Sequence, residues 1–413
     1  MDLGLTEHGR GLRDAVAEMV RTRIAPLDAE FHTETGRTGN RWEHTPRQTE
    51  ILKTLKDGAR AAGLWNLWQT HLAGGGSGIT TVDYAWIAEE MGKSWLAPEV
   101  FNCNAPDTGN MEVFLRYGTD AMKTQWLEPL MAGELRSAYL MTEPDVASSD
   151  ASNIAMRCVR DGDEWVLNGE KWWSTGAGDP RCAVHIVMCL TDPDAPRHQR
   201  HSMVVVPRAT PGIEVLRGMQ VFGDDEAPHG HMHIRYTDVR VPSEAMLLGP
   251  GRGFEIAQGR LGPGRIHHCM RAVGMAEKCL TLLAERGVAR QAFGGDLLSL
   301  GGNMDKLAEA RIALDAARLM CLRAAWEMDR AEAETGTMTR AAPFISQAKV
   351  MVPRVALQVC DEAIQMHGGA GVSQDTDLAR TWAHLRTLRL VDGPDSVHLR
   401  TVARAELRAR ALH

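Results

Sequence analysis

The chain has 413 residues, 44% hydrophobic and 24% charged, the balance of a globular protein with room for about three domains and sizeable cores. Its formal net charge of −7 argues against non-specific binding to nucleic acid. Eight cysteines form no C-x-x-C pair and no zinc-like grouping, so they read as reduced, mostly buried thiols of a cytoplasmic protein, and no run approaches the ~18 apolar residues of a membrane span. The first residues show neither an apolar signal core nor an Arg-rich transit segment, and Ala411-Leu412-His413 is not a peroxisomal address.

Residues 1–135 read as helices. One spans 14–25 and ends near Pro26, and a second spans 46–62 with Ile51, Leu55 and Ala59 four apart. Gly74-Gly75-Gly76-Ser77-Gly78 is a loop that lacks the G-x-G-x-x-G register of a dinucleotide fold. Helix returns over 82–91. Gly92-Lys93-Ser94 is no phosphate loop, because Ile87 stands where the first glycine belongs. Thr119 caps a helix that reaches Leu127 and is stopped by Pro129.

From 136 to 248 the texture is β, with strands expected over 154–160, 165–171, 184–190, 202–206 and 231–235, and with Asp161-Gly162-Asp163 as a hairpin turn. This spacing suggests a small barrel or sandwich. Just before these strands lies Tyr139-Leu140-Met141-Thr142-Glu143-Pro144-Asp145-Val146-Ala147-Ser148-Ser149-Asp150. It is an apolar run, then a stiff corner set by Pro144, then small hydroxyl residues whose N–H groups suit a phosphate or another polar edge. Lys171-Trp172-Trp173-Ser174 follows downstream.

Residues 249–413 are helical again. Leu307, Ala310, Leu314, Ala317, Cys321, Ala324 and Met328 form a long amphipathic stripe. Ile345, Ala348, Val352, Val355 and Val359 form another, which Pro353 should kink and Gly368-Gly369 should end. The 331–339 stretch reads as an exposed helix–helix loop. The long helices should form an antiparallel bundle. A turn at Gly262-Pro263-Gly264-Arg265 precedes a helix from about Ile266. Near the end, Asp392-Gly393-Pro394-Asp395 opens a helix over 396–410, with Pro394 at its favoured first position. Taken alone, Asp392 is an acid favoured by the helix dipole.

In order, the blocks Thr142 to Asp150, Lys171 to Ser174, Arg290-Gln291-Ala292-Phe293-Gly294, Gln365-Met366-His367-Gly368-Gly369-Ala370-Gly371 and Asp392 to Asp395 resemble the acyl-CoA dehydrogenase family of flavoproteins over nearly the whole chain. The resemblance implies an α+β fold with an N-terminal helical domain (1–135), a middle β-barrel domain (136–248) and a C-terminal four-helix bundle (249–413). It also implies FAD as cofactor. The implied activity is α,β-dehydrogenation of an acyl-CoA, as in the β-oxidation of fatty acids, with an electron-transfer flavoprotein as acceptor. A homodimer or a dimer of dimers is implied as well.

Residue by residue, the resemblance makes Asp392 the base that takes the α-proton, where most members have the longer Glu. Tyr139, Met141, Thr142 and Ser148 become the flavin-facing loop, and Ser149 its substrate-side edge. Trp172 would lie on the isoalloxazine beside Trp173, with the Ser174 hydroxyl near N5. Arg290 would reach the pyrophosphate of a neighbouring subunit's cofactor, and Gln365, Gly368 and Gly369 its adenine side. Pro394 and Asp395 complete the cofactor contacts. Gly262, Arg265 and Gly393 match substrate-side positions, although the family often has an acid where this chain has Gly262. Two other readings stay open: a flavin oxidase of the same superfamily, such as the nitroalkane oxidases, which also place Asp at the base position, or a non-catalytic flavin-binding protein. His229, His231 and His233 alternate on one strand face as metal ligands could, but no fourth ligand is evident and no metal is expected. His267-His268 reads as surface or cap polarity that could touch substrate.

Overall fold

The computed structural model describes residues 1–70, 76–335 and 338–411, the side chains of 261–263 and 339 excepted. Gly74 and Gly75 of the glycine loop, part of the 331–339 stretch, and Leu412-His413 lie outside these. Two compact units emerge. A helical unit holds Met1–Asp28, Ala59–Phe101 and the chain from Gly264 on, and a β unit holds Ala29–Gly58 and Asn102–Pro263.

In the helical unit, α1 spans Glu7–Met19. It starts earlier than its periodicity suggests because Thr6 caps it, accepting from the Gly9 N–H at 3.0 Å. Pro26 does not end the helical path, which continues through a π turn at Val20–Ile24 into a 3-10 turn at Ala25–Leu27. Helix α2 spans Pro46–Ala61 and passes from one unit into the other. Helix α3, Thr81–Met91, begins with a reciprocal Thr80–Asp83 capping box that satisfies two N–H groups at the helix start.

The β unit adds α4, Asp107–Tyr117. Pro129 does not stop the turns after Thr119, because it falls in the first turn of Glu128–Ala132, where a missing N–H costs nothing. Gly133 at φ 71° ends that helix instead. Seven strands follow: β1 Arg136–Leu140, β2 Arg157–Asp161, β3 Glu164–Thr175, β4 Cys182–Leu190, β5 His201–Pro207, β6 Ile213–Gly218 and β7 His231–Pro242. They pair in the order β1-β4-β2-β3-β7-β6, with β5 on β4. The path runs from β1 to β6 as a sheet that curls around its core. That core includes Leu140, Leu167, Val187, Val204, Ile234, Tyr236 and Val239. Strands β3 and β7 pair along nearly their whole length, which carries both well past the ends that residue propensity indicates.

Helix α5, Gly253–Ala289, is continuous, so Gly262-Pro263-Gly264 is no turn but part of its backbone. A small hairpin, β8 Gln291–Ala292 with β9 Gly295–Asp296, leads to α6, Asn303–Thr335. The first five residues of the expected loop at 331–339 are therefore helical. Helix α7, Ala342–His367, carries Pro353 inside it without a break. Its buried face, from Ile345 to Met366, packs on α6 and outweighs the missing hydrogen bond. Helices α8, Leu378–Thr387, and α9, Asp395–Ala409, both pack against α7. All eight cysteines are buried and free. No helix among the described residues is long and apolar enough to cross a membrane.

Candidate active site

In the β unit the loop after β1 is held by a buried ion pair. Lys171 Nζ, fully buried, lies 2.7 Å from Glu143 Oε1 and donates to the Met141 carbonyl at 3.0 Å. Glu143 also accepts from the Ala155 and Met156 N–H groups at 2.8 and 3.0 Å. Burial pulls the Lys171 pKa down, and Glu143 opposes that pull. The Trp172 N–H donates to the Thr142 carbonyl at 3.0 Å. The Ser148 hydroxyl accepts from the Glu143 N–H at 2.9 Å, so Ser148 shapes the loop from within. Ser149 is exposed and Thr142 half-buried.

The Lys171–Ser174 stretch breaks register with β7, and Trp173 sits there at φ 53°, a left-handed conformation that is costly for a bulky residue. This bulge decides which side chains face out. Trp173 is 37% exposed, whereas Ser174 is 1% exposed and its hydroxyl is walled off with no partner. Thr175 shares the Trp173 face, with its hydroxyl 2.9 Å from His231 Nδ1, and the Trp173 and His231 rings meet edge-on at 5.6 Å. The Trp172 indole N–H is likewise enclosed and unpartnered. One face of Tyr139 is covered by the Arg260 guanidinium at 3.9 Å. Arg260 in turn donates to Asn110 at 3.0 Å. The alternating histidines meet carboxylates: His231 lies 3.3 Å from Glu226, and His233 2.7 Å from Glu170.

In the helical unit Asp392 is also left-handed, at φ 53°, with its side chain 19% exposed. Its carbonyl accepts from Arg265 Nε at 2.9 Å and lies 3.3 Å from His398 Nε2. The carbonyl before it, on Val391, accepts from Lys349 Nζ at 3.0 Å; Lys349 also reaches the Leu388 carbonyl. Burial lowers the Lys349 pKa and brings that of His398 down to about 4, with Arg265 and Lys349 adding to the latter. Gly393 has φ 101°, and a Cβ there would stand 3.0 Å from His398 Nε2, so only glycine fits above that ring. His268 Nε2 lies 3.4 Å from Asp392 Oδ2.

Pro394 is the N-cap of α9 rather than its first turn. The Asp395 carboxylate is committed inside the chain: Oδ2 lies 2.8 Å from Arg389 and 3.0 Å from Arg354. This ties α9 to α7, while Oδ1 is buried with no hydrogen-bond partner among the described residues. Arg290 is exposed beside the hairpin whose tip, Phe293, is 97% exposed. Gln365 lines a cavity of about 190 Å³ with Leu283, Leu297, Lys306 and Glu362. Gly368 and Gly369 are exposed nearby in sequence, with open space where a Cβ would stand.

The residues of the β unit fit the flavin that the resemblance implies. An exposed indole face beside a hydroxyl, on a strand next to a pinned polar loop, suits a flat ring with a polar edge. The hydroxyl on that face is Thr175, which sequence reading missed for want of the bulge, and not Ser174. Lys171, Lys349 and Arg260 were given no positioning role from the sequence; for Lys349, a lysine inside an otherwise apolar helix stripe was the available signal.

Profiles of the acyl-CoA dehydrogenase N-terminal, middle and C-terminal domains match residues 6–134, 138–237 and 251–407. The chain is 49% identical over 397 residues to acyl-CoA dehydrogenase family member 11 of Gallus gallus, which covers 95% of this chain and 49% of that protein. It thus spans about half the length of the first curated relatives it matches. It is 46% identical to the probable acyl-CoA dehydrogenase FadE2 of Mycobacterium tuberculosis over 98% of this chain and 97% of that one. Butyryl-CoA dehydrogenase of Megasphaera elsdenii superposes with a TM-score of 0.80 at 25% identity, over 98% of this chain and all of that one.

Proposed function

Since the chain belongs to the acyl-CoA dehydrogenase family, we propose that it is an FAD-dependent enzyme that dehydrogenates an acyl-CoA to the 2-enoyl-CoA. The observation that carries this reading is Asp392: a partly exposed carboxylate on a strained residue, its loop fixed through backbone carbonyls by Arg265, Lys349 and His398. A base must be held within hydrogen-bond reach of its proton, and strain of this kind persists only where the surroundings over-determine it.

In this reading Asp392 takes the α-proton of the thioester. The Gly393 N–H is the donor assigned to the thioester oxygen, where negative charge develops. Trp173, Thr175 and Thr142 hold the flavin's ring and edge, and Tyr139, Met141 and Ser148 keep that loop in shape. Bound FAD supplies the acceptor for the β-hydride. An acyl chain that expels water from around Asp392 raises the carboxylate's basicity. Exposed Arg290 and Phe293 on one hairpin support a contact with the cofactor of a second copy, hence a homodimer or a dimer of dimers. Gln365, Gly368 and Gly369 are assigned to its adenine side. An electron-transfer flavoprotein is the proposed acceptor.

The test is an anaerobic visible spectrum of the flavin-loaded protein, titrated with acyl-CoAs of varied length and branching. Prompt bleaching by one class, lost in Asp392→Asn, supports the reading. Aspartate at the base position also suits a flavin oxidase. Rapid reoxidation of the reduced protein by oxygen would favour that activity instead.

A further inference from the structure

Helix α5 turns one stripe toward Asp392. Gly264, His268 and Arg271 fall at i, i+4 and i+7, which places them on one helix face. Among the described residues, the neighbour that a Cβ on Gly264 would find within 4 Å is Asp392 Oδ2, at 3.8 Å. One turn along, His268 Nε2 is 3.4 Å from the same oxygen. The other ring nitrogen, Nδ1, lies 3.5 Å from Arg271 Nη2. The neighbouring His267 belongs to a different environment, packed edge-on against Tyr84 at 4.8 Å.

The chemistry of these partners fixes the ring. A guanidinium has only donors, so Nδ1 must offer its lone pair to Arg271. The imidazole proton then sits on Nε2 and points at Asp392. Burial lowers the His268 pKa; Asp392 opposes this, while Arg271 and Lys349 add to it. The charged and titratable groups around the pair are Arg265 and Arg271 on α5, Lys349 on α7 and His398 on α9. Both contacts are long for hydrogen bonds, as those of catalytic groups commonly are before substrate draws them in.

We infer that His268 is a positioning residue for the base: oriented by Arg271, it donates its Nε2–H to Asp392 Oδ2 and so fixes the orientation of the carboxylate that takes the α-proton. This rests on Asp392 being the base. It also answers the problem of the shorter side chain. An aspartate has fewer torsions to lose than a glutamate, and a fixed donor on Oδ2 restricts them further.

The experiment follows exchange of the substrate α-proton for deuterium in D2O, read by NMR with an acyl-CoA that bleaches the flavin, so that proton removal is seen apart from hydride transfer. Flavin spectra confirm that each variant is folded and loaded. His268→Leu is expected to slow exchange about 10- to 100-fold, the size of one hydrogen bond to a charged group. It should leave KM nearly unchanged and move the acidic limb of the rate upward in pH, since the carboxylate loses a donor. His268→Gln keeps an N–H and should recover most of the rate. If His268→Leu matches wild type in rate and in limb, or if Gln is as poor as Leu, the inference is overturned. Asp392→Asn separates the two levels. Wild-type exchange in that variant overturns the base assignment itself, whereas its loss beside a normal His268→Leu overturns only the role of His268.

Discussion

Lys171 in the β unit and Lys349 in the helical unit are both fully buried, and each ties its ammonium to the loop that bears proposed site residues. Lys171 has a carboxylate for company. Lys349 has the carbonyls of Leu388 and Val391, with Asp392 and Asp395 near enough to favour its charge. A paired buried charge is anchored strongly but is dangerous to break, because the partner is left charged in a low dielectric. A charge held by carbonyls leaves mainly dipoles behind when it is removed, and Asp395 keeps its two arginines. The β unit's anchor is therefore built around stability, while that of the helical unit fixes the position of one loop.

Lys171→Met tests this most severely. It strands Glu143, and should cost about 3–5 kcal/mol in denaturant unfolding together with flavin retention. Adding Glu143→Gln should recover a large part of that loss, because it removes the uncompensated charge. A single and a double variant of equal stability would show that the pair is not the anchor.

Lys349→Met comes next. It leaves two carbonyls short of a donor, at about 1–3 kcal/mol each, offset by the desolvation no longer spent on a buried ammonium. Stability should fall less than for Lys171→Met, while flavin reduction by substrate should slow at least 10-fold as the Asp392 loop loses its support. The reverse order, with a larger stability loss and normal reduction, would break the comparison.

Acid should separate the units in the same direction as their histidines. Burial holds His185 in the β unit at about 3; in the helical unit it holds His267 at about 3 and His398 at about 4. An unfolded histidine titrates near 6.5. Between about pH 6.5 and pH 4 the unfolded chain binds these protons and the folded chain does not. Stability therefore falls as pH drops through that window and levels off below the folded values. Each group contributes on the order of 1 kcal/mol per pH unit. Denaturant midpoints at pH 7 and pH 5 should draw together by about two protons' worth in the variant carrying both His267→Gln and His398→Gln, and by one in His185→Gln.

The architecture was legible from the sequence because it depends on repeated small signals: the stripes of α6 and α7, the strand texture after 136, and the Gly-Pro punctuation before α9. The motif blocks fall after β1, at the bulge of β3, at the hairpin before α6, at the end of α7 and at the start of α9. What residue order did not show was set by tertiary pairing. Pairing of β3 with β7 carries both strands past their propensity and lodges the bulge at Trp173. Packing on α6 keeps α7 whole through Pro353. The adjacent His267 and His268 look alike in sequence, yet helical geometry sends one to Tyr84 and the other to Asp392. Residue order likewise did not show that Arg354, 41 residues away, joins Arg389 on one oxygen of Asp395.

The smallest expected effect bears on which face of β3 meets the cofactor. Ser174 and Thr175 are adjacent hydroxyls, one enclosed and unpartnered, the other on the Trp173 face beside His231. Ser174→Ala removes a buried hydroxyl that makes no hydrogen bond to the protein, so stability should stay level or rise slightly, and flavin affinity should not move. Thr175→Val keeps the shape but removes a hydroxyl worth about 1 kcal/mol, so flavin affinity should weaken several-fold by fluorescence titration of the stripped protein. If Ser174→Ala weakens flavin and Thr175→Val does not, the ring lies on the inner side of the strand. The bulge at Trp173 would then have to rearrange when flavin binds, since Ser174 is only 1% exposed.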